Sequence, residues 1–135
     1  ELIYTSKGHD WRQMSVIKAG QLEPDAAART PVAARVFQKT PLLGDQLNFV
    51  RFSVLFPGTT AEPHCGQTNV RVMCHLPLRV PEGGPESVGI AVAGEERSWV
   101  EGQWLCFDDS FEHRVWNDTP EPRGILTVQF RHPLY

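Results

Sequence analysis

His64 and His113 are the side chains of this sequence best suited to holding a redox-active metal. Each sits in its own polar run, HCGQTN over 64–69 and FDDSFEH over 107–113. Two imidazoles brought together from distant strands are a natural donor set for a divalent transition metal. The place two residues after the first histidine, which commonly supplies a third ligand, is Gly66. Glycine has nothing to coordinate with. A metal held here would keep several open positions, which suits oxygen chemistry better than a closed structural zinc. The bland alternative is that each is a separate surface or hydrogen-bonded histidine.

A second group could receive an anion. Arg71 and His75 share one strand face by alternation, Arg51 and Ser53 share another, and Arg123 opens the final strand. Guanidinium takes a carboxylate bidentately, and Ser and His add hydrogen bonds, so such a face fits a small carboxylic acid. Any one of these arginines alone reads more simply as a strand-end cation with its head in water. Asp108 and Asp109 precede Ser110 and read as shaping the loop that presents His113, one of them a candidate for orienting an imidazole. Trp99, Trp104 and Trp116 read as core. Cys65 could offer a thiolate, but alternation points it away from its neighbour His64. With no CxxC spacing and an odd count, Cys74 and Cys106 read as buried thiols rather than a disulfide framework.

The elements that must position these groups are mostly short strands. Eleven prolines and eleven glycines fall largely between hydrophobic runs, as turn punctuation. An opening strand is expected over 11–19. One helix is expected over 32–39, with Thr30 as cap and Pro31 in the first position. After Gly44 the period becomes two. Val50, Phe52, Val54 and Phe56 alternate with Arg51 and Ser53, and Val70, Val72, Cys74, Leu76 and Leu78 alternate with Arg71, Met73 and His75. Further strands are expected over 88–93, 97–100, 103–107, 111–117 and 124–131. In the last, Leu126, Val128 and Phe130 oppose Ile125, Thr127 and Gln129. Seven or eight short strands with regular turns indicate an all-β double-sheet jelly roll with one short N-terminal helix. Faces with polar residues suit a barrel that holds a ligand inside.

The 135 residues allow one domain, 1–135, with a real core. A formal net charge of -3 and the lack of a dense basic run argue against nucleic acid. No stretch approaches the roughly 20 apolar residues needed to cross a bilayer. No targeting segment is visible, which favours the cytoplasm if the chain is complete; the lack of an initiating methionine at Glu1 hints at an excised domain.

Several runs together resemble the aspartyl/asparaginyl β-hydroxylases: FSVLFPGT over 52–59, PHxGxTNxRxxxHLxL over 63–78, WxxG over 99–102, FDDSFEHxVW over 107–116, and the closing His132-Pro133. Asp10-Trp11 and Lys39-Thr40-Pro41 extend the likeness through nearly the whole chain. The resemblance implies a double-stranded β-helix (a cupin-like jelly roll) and an iron(II)- and 2-oxoglutarate-dependent dioxygenase using O2, with iron on two histidines and no carboxylate. Carried over position by position, it implies His64 and His113 as metal ligands and catalytic centre. Ser53, His75 and Arg123 would contact 2-oxoglutarate, with Ser53 and Arg123 on the distal carboxylate and His75 on the end near the metal. Arg71 would meet the substrate. One departure is Met73, where the animal enzymes carry a second arginine (RxRxH); a cysteine pair found upstream in those enzymes is also absent.

The expected reaction is hydroxylation of an unactivated carbon, the β-carbon of an Asp or Asn residue or of a small amino acid. The alternatives are a lipid acyl-chain hydroxylase of the same family and a non-catalytic cupin-like module for a small carboxylate or metal. A zinc hydrolase is less attractive without a third protein ligand.

Overall fold

The computed structural model describes residues 5–7 and 10–135. In chain order its elements are β1 (Thr5–Lys7), β2 (Trp11–Lys18), β3 (Gln21–Leu22), α1 (Pro24–Arg29), α2 (Pro31–Gln38), β4 (Phe49–Leu55), β5 (Thr59–His64), β6 (Arg71–Arg79), β7 (Val88–Val92), β8 (Glu95–Arg97), β9 (Leu105–Phe107), β10 (His113–Asn117) and β11 (Arg123–Arg131). They form a jelly roll of two antiparallel sheets, one ordered β1-β5-β10-β7-β8 and the other β3-β2-β4-β11-β6-β9.

The period-two pattern in β4 and β11 decides how the molecule is layered. One face of the six-stranded sheet carries Val50, Leu126 and Val128, which join Val16 and Ile17 in a buried cluster. Phe37 of α2 and Leu42 pack against it from outside. The opposite face, with Ser53, Leu55 and Ile125, looks toward the five-stranded sheet. Leu55 there packs with Ala61, Val88, Ile90, Trp99 and Val115 to close one end of the barrel. The six-stranded sheet is thus covered on both faces, by helix on one side and by its partner sheet on the other. Apolar burial of this extent, at about 25 cal/mol per Å², is what holds such sandwiches together.

Several expectations need correction. Among the described residues there are two helices, not one. The Pro-Asp-Ala-Ala-Ala-Arg segment forms α1 ahead of the expected helix. Thr30 consequently ends one helix as well as preceding the next: its hydroxyl donates to the Ala26 carbonyl at 2.7 Å, and it makes no side-chain cap on α2. Eleven strands replace seven or eight among the described residues, the short β1 and β3 and the polar β5 being unforeseen. Trp99 lies in the connection between β8 and β9 rather than in a strand, and Trp104, expected in the core, is exposed ahead of the edge strand β9.

Cys74 and Cys106 form a disulfide, not two buried thiols. The β6–β9 register sets the two residues directly opposite, with Met73 facing Phe107 and His75 facing Leu105 on either side. Cysteines paired across a ladder are close enough to bridge. The bond therefore ties the short edge strand β9 to the sheet. No helix among the described residues is long and apolar enough to cross a membrane.

Candidate active site

His64 is the last residue of β5 and His113 the first of β10, and the antiparallel pairing places them opposite one another. Their ring centroids are 4.3 Å apart at an interplanar angle of 61°. Each Nδ1 faces the main-chain carbonyl two residues earlier, His64 to Glu62 at 2.6 Å and His113 to Phe111 at 2.9 Å. A carbonyl only accepts, so both Nδ1 atoms carry a proton, and in the neutral ring Nε2 is the nitrogen through which each could bind a metal. That is the arrangement by which outer hydrogen bonds orient metal-binding imidazoles. Burial pushes the His113 pKa down, beyond what the Phe111 carbonyl restores, which also favours the neutral ring.

The space beside Gly66 is filled from elsewhere. A Cβ built on Gly66 would lie 2.5 Å from Asp109 Oδ2 and 2.8 Å from Arg71 Nη2. Asp109 is buried and takes two hydrogen bonds from Arg71, Nε at 3.2 Å and Nη2 at 2.7 Å. Its main-chain carbonyl accepts from Gly66 N at 2.6 Å, joining the loops that follow β5 and precede β10. Among the described residues, no three His, Cys, Asp or Glu side chains converge as a metal-binding group. Asp108 is a turn former: its carboxylate accepts from Ser110 N, and hydrogen bonding from Ser110 lowers its pKa.

The inward faces of β4, β6 and β11 supply the rest of a cavity of about 420 Å³. His64, His113, Ser53, His75, Arg123 and Arg71 all border it, so the six candidates from the sequence come together in one pocket. Arg123 is 1% exposed. Its Nη2 reaches Ser53 Oγ at a long 3.4 Å, and its buried Nε has no hydrogen-bond partner. Burial pushes this guanidinium down to about 9, still charged at neutral pH. Ser53 Oγ also accepts from Trp11 Nε1 at 2.7 Å. With both lone pairs engaged, its own hydroxyl proton is left to donate. An unmet guanidinium N–H beside a hydroxyl donor is a receptor for a carboxylate.

His75 differs from the other two histidines. Its Nδ1 accepts from the indole Nε1–H of Trp99 at 3.1 Å. Burial first, then the charge of Arg123 and the proximity of His113, pushes its pKa down to about 3. It is therefore a neutral ring, with its proton on Nε2. Phe107 stands beside it, its ring 5.1 Å from His75 and 5.4 Å from His113. Met73, Gln129 and Phe49 align across β6, β11 and β4 at the far end of the cavity. Arg51 lies there too, its guanidinium 3.6 Å over the Phe49 ring and its Nη1 donating to Gln13 at 3.0 Å. Cys65 is exposed and borders the pocket. The parts played by Trp11, Trp99, Phe107 and Gln13 went unseen in the sequence. An aromatic residue carries no sign of whether its N–H is spent inside a core or on a site.

A family model described as aspartyl/asparaginyl beta-hydroxylase matches residues 2–133. The human aspartyl/asparaginyl beta-hydroxylase is 37% identical over 125 residues, which is 92% of this chain but 16% of that protein. The mouse aspartate beta-hydroxylase domain-containing protein 1 is 38% identical over 126 residues, covering 90% of this chain and 34% of its own length. The chain thus spans a minor part of these relatives. Among solved structures, a predicted oxalate decarboxylase from Thermotoga maritima superposes with a TM-score of 0.57 at 12% identity, over 96% of this chain and 93% of that one. The Schizosaccharomyces pombe Cnp3 cupin domain gives 0.57 at 8% identity, over 96% and 70%. At such identities these likenesses speak for the cupin-type barrel alone.

Proposed function

The chain belongs to the aspartyl/asparaginyl beta-hydroxylase family, and on that premise we propose that residues 1–135 form the catalytic domain of an iron(II)- and 2-oxoglutarate-dependent dioxygenase. Its substrate is the β-carbon of an Asp or Asn residue in a protein, or of a small amino acid. The observation that carries this reading is the pair of imidazoles turned by their Nδ1 contacts to backbone carbonyls, with ring centroids 4.3 Å apart, in the same pocket as a buried, under-bonded guanidinium. That donor set fits iron(II), and the cavity fits a dicarboxylate next to it.

With 2-oxoglutarate and O2, iron(II) supplies the oxidising power to place one oxygen atom in an unactivated C–H bond, releasing succinate and carbon dioxide. The protein's part is binding and exclusion. His64 and His113 hold the metal through Nε2. Arg123 and the Ser53 hydroxyl hold the distal carboxylate of 2-oxoglutarate, and the Nε2–H of His75 donates to the end near the metal. Arg71, steadied by Asp109, meets the acidic group of the substrate. Phe107 and the apolar floor under Trp99 keep water from the reacting centre.

The test is succinate release with ferrous iron and ascorbate against peptide and amino-acid candidates, together with mass spectrometry for a product heavier by one oxygen atom. His64→Ala and His113→Ala are expected to abolish turnover and anaerobic iron binding. Undiminished activity in both variants would remove the proposal.

A further inference from the structure

Trp99 is 3% exposed and lies between β8 and β9, where neither sheet ladder needs it. It packs in the cluster that floors the barrel, which accounts for its burial. It does not account for its two polar contacts. The indole Nε1–H reaches His75 Nδ1 at 3.1 Å, and the ring face lies 4.7 Å from the Arg123 guanidinium carbon. Both neighbours are groups assigned to 2-oxoglutarate, on different strands.

An indole nitrogen can only donate, so the atom it meets on His75 must be an acceptor. A neutral imidazole has one proton, which is thereby forced onto Nε2. His64 and His113 are held in the opposite tautomer by backbone carbonyls. Three histidines around one cavity are thus set in two states by three hydrogen bonds, two as lone-pair donors to a metal and one as a proton donor to an anion. Arg123 meanwhile has an ion-pair partner nowhere among the described residues. The electron-rich indole face offsets part of the cost of burying that charge and fixes where its plane lies.

We propose that Trp99 is the positioning residue of the 2-oxoglutarate pocket: its N–H sets the His75 tautomer and its ring face seats the Arg123 guanidinium. This rests on the cosubstrate reading above. Without the indole N–H, the proton of His75 is free to move to Nδ1, and the lone pair left on Nε2 repels a carboxylate.

Nitrogen-15 histidine spectra of the metal-free wild-type protein decide the first half without any turnover. His75 is expected in the Nε2–H form, with its Nδ1 signal shifted by the indole contact in a way that Trp99→Phe removes. An Nδ1–H form in the wild type overturns the proposal. Trp99→Phe keeps a ring under Arg123 and loses only the donor, so the apparent KM for 2-oxoglutarate should rise ~5-fold with kcat and iron affinity nearly unchanged. Trp99→Leu, which loses both contacts, should raise KM further. Equal KM values in wild type and Trp99→Phe overturn the role of the N–H, and equal values in the two variants overturn the role of the ring. Failure of wild-type protein to bind 2-oxoglutarate by calorimetry would instead sink the cosubstrate reading, and with it the pocket role; the spectra would still decide the tautomer.

Discussion

The carboxylate of Asp109 stands where a side chain at position 66 would have to go. The chain therefore lacks a third metal-binding side chain there for a steric reason as well as a chemical one. The mouth of the barrel is built around an Arg71–Asp109 pair that needs a bare Cα opposite it.

Gly66→Asp should consequently fail to make a three-ligand centre. The added atoms would collide with Asp109 and break its pairing with Arg71. Even Gly66→Ala should cost about 1–3 kcal/mol by overpacking. Thermal unfolding of metal-free protein and anaerobic iron titration check this. A Gly66→Asp variant that kept its stability and bound iron more tightly would contradict it.

On the proposed function, Arg123 trades stability for binding. A buried guanidinium with an unmet N–H is a burden on the ligand-free protein, and an apolar residue of similar length relieves it. Arg123→Met should leave the melting temperature of metal-free protein unchanged or higher. The apparent KM for 2-oxoglutarate should rise ~10-fold or more as the charge-assisted bond is lost. A lowered melting temperature with an unaltered KM would place the residue in the scaffold instead.

His75 should make the fold acid-sensitive. Its folded pKa of about 3 lies below the value of 6.5 expected when unfolded. Between those limits the unfolded chain binds a proton that the native ring refuses, so stability falls as pH falls. The contribution is complete above pH 6.5 and is lost progressively toward 3, at up to about 1.4 kcal/mol per pH unit. Urea unfolding of metal-free protein at several pH values should show this slope, and His75→Gln should flatten it. An identical acid limb in the variant would assign the sensitivity to other groups.

The Cys74–Cys106 bond closes a separation of 32 residues. Opening it should cost roughly 4 kcal/mol on the chain-entropy account. Cys106→Ser, compared with wild type in the presence and absence of a reductant, measures this by denaturant unfolding. Wild type should fall to the level of the variant when reduced. A wild type insensitive to reductant would show that the clasp adds nothing.

What the sequence made legible was period and type. The alternation within β4, β6 and β11 correctly grouped Arg51 with Ser53, Arg71 with His75 and Thr127 with Gln129, all of which border the cavity, and the double-sheet jelly roll followed from strand number and turn spacing. What it hid was register, because cross-strand partners leave no trace in local order. The disulfide, the Arg71–Asp109 pair and the Trp99–His75 bond all join residues at least 24 positions apart. Strand β5 was missed because Glu62, Pro63 and His64 read as loop, although Thr59 and Ala61 are fully buried. The six site residues stood out by residue type and strand face, the family resemblance supplied the roles expected of them, and the fold gathers them around one cavity.

A sheet wrapped on both sides gives each of its inner strands two separate accounts to keep. Along β11, positions 123, 125, 127 and 129 border the cavity, while 126 and 128 are locked into the layer beneath the helices. Neighbouring residues on this strand thus meet different physical demands. Chemistry can drift at every second position while the intervening ones keep the chain folded, and a barrel of this kind can change what it acts on without rebuilding itself.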